Sequence, residues 1–360
     1  MHMPKPNEQN TPRIAVETLE ALCVKAMMHS GMSELDANTT ARVLVTTDTW
    51  GVFSHGTKQL LHYLRKVHAG GIDPRAAPEI VKEGPSWAII DGRCAMAMVS
   101  ATLAMELAMR KAKANGIAYV GVRNSTHFGA AGYYASLAAN QDMIGLAMSN
   151  VDINMTAPGA RGSIIGNNPL AYEFPAGKEA PILLDIALST VAAGKIYAAQ
   201  ALGKPIPDTW LIDAEGLPTT DISHYPHVGA LLPMSGHKGY GLAILVEMLA
   251  AALTGAAITT EVKSWLLDLA LPSNEGHAFV AIDVEVFVAI QEFKERVDRM
   301  IRNMHQSPKA KGADRIYLPG EIEWEKRREA LEKGIELPED VRSNLLTMAH
   351  EAGIDADGLG

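Results

Sequence analysis

The middle of the chain alternates between two kinds of apolar pattern, and this alternation limits its fold more than any other feature. Short apolar runs typical of strands occur at 87–90, 117–122, 144–149, 181–187 and 277–284. Patterns with helical spacing occur between or beside them, at 100–115, 130–140, 189–202, 238–254 and 286–304. Strands that alternate with helices in this way predict an α/β domain.

Both ends of the chain have a different character. Helical periodicity covers 17–29, 33–50 and 60–67 at the front and returns after Arg315, whereas residues 1–11 have the polar, proline-containing composition of a flexible leader. A chain of 360 residues exceeds what one hydrophobic core usually serves. We expect the two helical ends, 1–80 and 286–360, to pack together as one domain, with the α/β domain at 81–285 inserted between them.

Charge and composition exclude several classes of protein. The net charge of −9 argues against a surface that binds nucleic acid or an anionic membrane. No apolar run reaches the roughly 20 residues of a membrane span, and the polar start lacks the apolar core of a secretory signal. Two cysteines and scattered histidines form no metal-binding pattern. A cytoplasmic location without a metal is expected.

Two common nucleotide-binding motifs are missing from the sequence. It contains neither G-x-G-x-x-G nor G-x-x-x-x-G-K-[ST]. A Rossmann or P-loop site is therefore not supported, and any dinucleotide has to bind in another way.

Two histidines are candidates for proton transfer. His55 lies in Ser54-His55-Gly56, at a bend after a helix, and an imidazole exchanges protons near neutral pH. His127 lies between a predicted strand and a predicted helix, where α/β proteins often place catalytic groups. The alternative for His55 is a surface or capping histidine. The alternative for His127 is a helix-capping segment in which Ser125 or Thr126 is the cap and the histidine has no role.

Three further polar residues are candidates for different roles in a site. Asp152 follows a strand and has the chemistry to orient a histidine, or it is a turn residue. Asn168 lies in a turn-forming stretch and either binds a ligand or makes the turn. Lys238 stands among glycines at the start of an apolar helix, where backbone N–H groups favour an anion. The alternative there is a tight loop.

Together these stretches resemble the malate/L-lactate dehydrogenase family, whose members lack a Rossmann fold. The matching segments occur in the family's order between about residues 12 and 350, and they are Asp48–Gly56, Gly121–Gly129, Gly166–Ala171, Leu184–Ala187, Ile206–Trp210, Gly236–Gly241 and Tyr317–Glu321.

The resemblance implies an activity and a set of site residues. The family interconverts 2-oxo acids and 2-hydroxy acids such as malate or lactate with NAD or NADP, and its members are typically homodimers with a helical domain made by both chain ends. The implied catalytic residues are His127, His55, Ser54 and Asp152. The implied cofactor contacts are Asp185, Ile186, Ala187, His237, Lys238, Gly320 and Glu321.

One departure from the family pattern concerns the substrate. Many relatives have an arginine shortly after Ser-His-Gly, whereas this chain reads Gly56-Thr57-Lys58-Gln59. Lys58 offers a point charge without the planar fork that binds a carboxylate through two bonds. Lys58, Tyr63 and Asn168 are the predicted substrate contacts. Alternatives are a cyclic imino-acid or ureidoglycolate oxidoreductase, and a metabolite-binding protein without catalysis.

Overall fold

The computed structural model describes residues 13–201, 203–356 and 358–359. The predicted leader at 1–11 lies outside these residues. The described residues form ten helices: α1 Val16–His29, α2 Glu34–Thr49, α3 Leu60–Ala69, α4 Ala97–Asn115, α5 Ala131–Ala139, α6 Ala193–Ala201, α7 His237–Glu247, α8 Ile290–His305, α9 Glu321–Lys333 and α10 Glu339–Ala352. They also form twelve strands: β1 Arg13–Ile14, β2 Glu79–Gly84, β3 Trp87–Asp91, β4 Ile117–Ser125, β5 Met143–Ser149, β6 Leu170–Phe174, β7 Ile182–Ile186, β8 Leu211–Ile212, β9 Pro218–Thr219, β10 Ala230–Leu231, β11 Glu275–Asp283 and β12 Ile335–Glu336.

The contacts between residues group the chain into two compact units. Of the described residues, the first unit contains those at 13–65 and from 322 to 359, and the second contains those between 66 and 321. In the first unit α1 packs on α2 and on α10, and the short strands β1 and β12 pair antiparallel. The domain boundaries expected near residues 80 and 286 stay a prediction.

A seven-stranded sheet organises the second unit, with the strand order β2-β3-β4-β11-β5-β6-β7. Among the described strands of this sheet only β3 and β4 pair in parallel, and α4 connects them. The α/β class is confirmed, and the mainly antiparallel order differs from the parallel sheet of a Rossmann domain.

Helices cover both faces of this sheet. On one face Phe279 of β11 packs edge to face against Tyr134 of α5, with ring centroids 5.5 Å apart. The neighbouring Ala278 belongs to a buried cluster with Ala243 and Val246 of α7. Since successive strand residues point to opposite faces, α5 and α7 lie on opposite sides of the sheet.

Several element boundaries differ from the prediction. The helix expected to start at Ser100 begins at Ala97, and the Ser100 hydroxyl donates to the Ala97 carbonyl inside it. The α-helix expected to run to residue 254 ends at Glu247 and continues as a π-helical turn over Met248–Ala252. Strands β2 and β6 had no counterpart in the prediction. None of the described helices combines the length and apolar character needed to cross a membrane.

Candidate active site

The Ser54-His55-Gly56 segment in the first unit is folded against a buried aspartate. Two 3-10 turns, Phe53–His55 and Thr57–Gln59, carry it. The Asp48 carboxylate, 1% exposed, accepts hydrogen bonds from the Thr57 amide at 3.1 Å and from the Thr57 hydroxyl at 2.5 Å. A Cβ on Gly56 would lie 1.8 Å from Asp48 Oδ1, so the glycine is required by this close approach.

Local hydrogen bonds orient the His55 ring. Its Nδ1 lies 2.9 Å from the Ser54 hydroxyl, and the Gln59 side chain donates to the Ser54 carbonyl at 2.7 Å. Burial lowers the pKa of His55, which favours the neutral imidazole. If the hydroxyl donates to Nδ1, the proton of the neutral ring is on Nε2, from which it can donate a hydrogen bond.

The two predicted substrate contacts in the first unit differ in exposure. Lys58 Nζ lies 2.5 Å from Asp340 Oδ2, so its charge is already paired with a carboxylate. Tyr63 is fully buried. Their roles toward a substrate stay predictions.

In the second unit, three central strands bring polar residues to one end of the sheet. Strands β4 and β5 end at Ser125 and Ser149, and the antiparallel β11 between them begins at Glu275. His277 of β11 is held between the two serine hydroxyls, 2.8 Å from each ring nitrogen. Burial lowers the pKa of His277 to about 3, so this ring is neutral. The sequence did not predict that His277 lies at this end of the sheet, because its position depends on the pairing of β11 with the distant strands β4 and β5.

His127 lies at the same end of the sheet, in the loop between β4 and α5. Its side chain is 9% exposed and stacks on Trp265, with ring centroids 4.2 Å apart and planes 11° from parallel. The helix-capping interpretation of this loop is wrong, because Ala130 occupies the N-cap of α5 without a side-chain hydrogen bond. Ser125 and Thr126 instead contact His277 and Ser273.

Asp152 lies beyond the end of β5, within a group of acidic residues around Lys66. Burial raises the pKa of Asp152, while a hydrogen bond from Ser264 opposes that rise. The Lys66 side chain is fully buried and donates to the carbonyls of Asp268 and Leu271 at 2.9 and 2.7 Å. Glu275 is also fully buried and interacts electrostatically with Lys66 and Asp152. Sequence reasoning missed Lys66 and Glu275; the only signal was an acidic residue at the start of an apolar strand.

Asn168 is engaged by the protein on several sides. Its amide donates to the Ala243 carbonyl and to Glu247, at 3.0 and 2.8 Å, and its oxygen accepts from the Val151 amide at 3.2 Å. The side chain is fully buried. This geometry supports the backbone next to Asp152 and does not favour the substrate contact that was predicted for Asn168.

The predicted cofactor residues gather around the end of β7. Asp185 is exposed and accepts a hydrogen bond from the Gly132 amide at 2.7 Å, at the N terminus of α5. The Leu183 amide donates to the Pro319 carbonyl at 3.2 Å. Next to it Gly320 has a φ of +92°, and a Cβ there would lie within 3.0 Å of Leu183 backbone atoms. Ile186 and Ala187 are partly buried in the segment that follows Asp185.

The start of α7 joins the same region. Leu188, directly after Ala187, accepts a hydrogen bond from the Met234 amide at 2.9 Å in the loop before α7. His237 and Lys238 lie in the first turn of α7 and are exposed. The N-cap residue is Gly236, which has no side chain to accept a hydrogen bond from the first amides of the helix. Glu321 is turned toward its own loop, where it accepts from the Leu318 amide and from Arg315. The exposed Asp185 carboxylate is suited to accept hydrogen bonds from hydroxyls, and the exposed first turn of α7 is suited to bind a phosphate.

Comparison with known proteins gives one consistent result. The family model for malate/L-lactate dehydrogenase matches residues 14–346. The L-sulfolactate dehydrogenase of Methanocaldococcus jannaschii is 38% identical over 95% of this chain and 97% of its own. The NAD(+) ureidoglycolate dehydrogenase of Escherichia coli O157:H7 is 32% identical over 94% and 96% of the two chains. The NADP(+) (2R)-3-sulfolactate dehydrogenase of Chromohalobacter salexigens is 31% identical over 93% and 98%.

Solved structures agree with these sequences. The malate dehydrogenase of Pyrococcus horikoshii OT3 superposes with a TM-score of 0.88 at 34% identity, covering 99% of both chains. The Δ1-piperideine-2-carboxylate reductase of Pseudomonas syringae pvar. tomato superposes with a TM-score of 0.85 at 28% identity, covering 94% of this chain and all of that one. The resemblance read from the sequence is confirmed: this chain belongs to the malate/L-lactate dehydrogenase family.

Proposed function

We propose that the protein is an oxidoreductase that transfers a hydride between a nicotinamide cofactor and a small 2-hydroxy or 2-oxo acid such as malate or lactate. Family membership supports the reaction class. The main observation behind the proposed mechanism is the position of His127. Its ring stacks on Trp265 at the end of the sheet where Asp152 also lies.

His127 is the proposed acid/base. When a 2-oxo acid is reduced, the imidazole donates a proton to the carbonyl oxygen, and in the oxidation direction it takes the proton back from the hydroxyl. General acid–base catalysis of this kind contributes about 10²–10⁴ in rate. Stacking on Trp265 restricts the orientation of the ring, so less entropy is lost when it meets the substrate oxygen.

Asp152 is proposed to stabilise the charged form of the acid/base. A carboxylate in a partly buried position interacts more strongly with an imidazolium than one in water does. Lys66 offsets the cost of burying this carboxylate, with which it interacts electrostatically.

The residues around the end of β7 are proposed to hold the cofactor, NAD with NADP as the alternative. Asp185 is suited to accept hydrogen bonds from ribose hydroxyls, and Lys238 at the start of α7 is suited to bind a phosphate. A bound nicotinamide supplies or accepts the hydride. The cofactor roles of Ile186, Ala187, His237, Gly320 and Glu321 belong to the same proposal.

The alternative acid/base is His55, whose Nδ1 forms a hydrogen bond with the Ser54 hydroxyl. A second candidate substrate class is a cyclic imino acid, favoured by the structural similarity to a Δ1-piperideine-2-carboxylate reductase. A protonated imine beside a carboxylate accepts hydride at the same kind of C=X bond, and ureidoglycolate is the corresponding candidate from the sequence relatives.

Reduced-cofactor absorbance tests the function directly. The protein is mixed with NADH or NADPH and with a panel of 2-oxo acids and cyclic imino acids. Oxidation of the reduced cofactor is expected when a 2-oxo acid is present. The cofactor with the lower KM is the preferred one. If no compound causes oxidation of either cofactor, the proposal is wrong and a metabolite-binding protein is favoured.

Single variants assign the acid/base. His127→Ala is expected to lower kcat by about 10²–10⁴ and His55→Ala by less. The exposed His68, changed to alanine, is the control and should leave kcat unaltered. A larger loss in His55→Ala would exchange the two roles, and near-normal turnover in both variants would refute histidine catalysis.

We infer that the protein acts as a homodimer in the cytoplasm. Four apolar side chains along one stretch of helix are 37–47% exposed: Leu242, Ile244, Leu245 and Met248. A group of exposed apolar residues of this kind is typical of an association surface.

A further inference from the structure

Glu275 occupies an unusual position for an acidic residue. It opens β11 opposite Ser125 of β4 and is 0% exposed. Neither of its carboxylate oxygens has a hydrogen-bond partner among the described residues. An ionised carboxylate in this position would lack the donors that normally replace its lost hydration, which makes the charged form costly.

The charges near Glu275 act in opposite directions on its ionisation, since Asp152 opposes it and Lys66 favours it. Lys66 on α3 is the cation that interacts with it, and Lys66 also interacts with Asp152, Asp268 and Cys94. Asp268 is half-buried and accepts from the Ser264 amide at 3.0 Å. One buried ammonium therefore faces several carboxyl groups.

The remaining titratable neighbours are neutral. Burial raises the pKa of the Cys94 thiol, and it also raises the pKa of Tyr197 and Tyr225, which interact with Asp152. His277, two residues further along β11, is neutral as described above. None of these groups adds a positive charge. Among the described residues, Lys66 is the cation that interacts with both Asp152 and Glu275, and the proposed imidazolium of His127 would add a charge beside Asp152 only during turnover.

We propose that Glu275 and Asp152 form a pair that holds one proton beside the Lys66 ammonium, with the proton on Glu275 at neutral pH. Glu275 is thus a positioning residue that keeps Asp152 ionised. The part of this inference that concerns catalysis rests on the proposed role of Asp152 toward His127. The charge arrangement itself does not depend on that role.

The arrangement predicts a change on the alkaline side. Burial and the nearby Asp152 raise the pKa of Glu275 well above its usual range, so the proton leaves only when the pH rises. A second buried negative charge then appears beside Asp152. The decrease of kcat/KM at high pH should therefore move to higher pH in Glu275→Gln, whose amide cannot ionise.

Infrared spectroscopy of the whole protein tests the proposal without turnover. A protonated carboxylic acid has a carbonyl stretch at higher frequency than amide and carboxylate bands. The comparison is made in an Asp48→Asn background, because burial raises the pKa of Asp48 to about 7 and this carboxyl would add a band of its own near neutral pH. In that background the protein at neutral pH is expected to show a band from Glu275, and adding Glu275→Gln is expected to remove it. Absence of the band in the background protein, or its persistence after Glu275→Gln is added, overturns the proposal.

A matched control and a second variant complete the test. Glu247 is also buried, but its carboxylate accepts hydrogen bonds from the Asn150 and Asn168 side chains and from the Thr259 amide. Since the Glu247 oxygens have these donors whereas those of Glu275 have none, Glu247→Gln should leave the band in place. In Asp152→Asn the band should disappear at lower pH than in the background protein, because the like charge is removed. An unmoved midpoint would overturn the pairing even if Glu275→Gln does not fold.

These readouts separate the two proposals. If the band behaves as expected but no substrate is turned over, the proposed function fails and the shared proton stands. If turnover is observed but the band is absent, the shared proton fails and the proposed function stands.

Discussion

Asp48 is the residue whose ionisation most directly affects the Ser54-His55-Gly56 segment. One oxygen accepts both hydrogen bonds from Thr57, and the other, Oδ1, is buried with no hydrogen-bond partner among the described residues. Burial raises the pKa of Asp48 to about 7 from an ordinary value of 3.8. The carboxyl group therefore changes charge near neutral pH while it supports the segment that carries His55.

This pKa has a definite consequence for stability. The folded state holds the proton more tightly than the unfolded state, so the contribution is complete below about pH 4 and is lost as the pH rises to about 7. The loss is at most about 4 kcal/mol for a shift of roughly three units. Urea denaturation of the wild type between pH 4 and 8 should show this decrease, and Asp48→Asn should flatten it. Equal slopes in the two proteins would contradict the assignment.

Lys58 offers a prediction about substrate affinity. Its ammonium is paired with Asp340 on α10, and both side chains are partly exposed. If Lys58 anchors the substrate carboxylate, that carboxylate has to compete with Asp340. Because exposed ion pairs contribute only about 0–1 kcal/mol, Asp340→Ala should lower KM by at most about fivefold with little change in kcat. The exposed Glu339→Ala is the neighbouring control. Lys58→Ala should in turn raise KM, and an unchanged KM in Lys58→Ala would show that Lys58 does not bind substrate.

At the scale of elements, α7 connects two polar turns through a single acid. Glu247, at the end of α7, accepts from Asn150 after β5 and from Asn168 before β6. The Asn168 oxygen in turn accepts from the Val151 amide, directly before Asp152. The position of Asp152 therefore depends on a helix almost 100 residues further along the chain.

Removal of Asn168 tests this connection. Asn168→Ala leaves buried donors and acceptors without their partner, which should cost about 1–3 kcal/mol of unfolding free energy. We also expect kcat to decrease, because the backbone that carries Asp152 loses a support. Asn167→Ala, at the adjacent position, serves as the control for denaturation. A normal unfolding free energy and a normal kcat in Asn168→Ala would show that the network is not needed.

Elements that depend on local chemistry were predictable from the sequence. The start of α2 is an example, since the Ser33 hydroxyl accepts from the Asp36 amide as the spacing of these two residues indicates. Elements that depend on distant partners were not. Strand β2 has an exposed, charged face and exists because it pairs with β3, and α4 starts early because Ala97 and Met98 are buried.

The same distinction explains the candidate site. His127 was predictable because a loop that follows a strand is visible in the sequence. Its stacking on Trp265 and the position of Glu275 opposite Ser125 join segments that are well over 100 residues apart. Asn168 looked like a turn or ligand-binding residue, and only the packing of α7 shows its buried amide. The reactive residues could thus be predicted from local motifs. The residues that determine the charge and orientation of these reactive side chains became visible only in the topology of the fold.

At the scale of the whole molecule, the exposed apolar face of α7 and of the π-helical turn that follows it is the feature that predicts assembly. Leu242, Leu245 and Met248 lie three residues apart, and Ile244 lies one residue from Leu245, so together they cover one broad side of the helix. The α7 helix also carries Lys238 at its start. Association through this face would therefore connect assembly with the proposed phosphate site.

Leu245→Glu should prevent this association. A charge placed in the centre of an apolar interface has to be desolvated without a partner, which costs several kcal/mol and shifts the equilibrium toward monomer. Light scattering coupled to size-exclusion chromatography should give a mass near 77 kDa, about twice the 38.6 kDa of one chain, for the wild type and the mass of one chain for the variant. Leu35, 76% exposed on α2, provides the control, and Leu35→Glu should remain dimeric. A Leu245→Glu dimer would place the interface elsewhere, whereas a monomeric wild type would refute the homodimer.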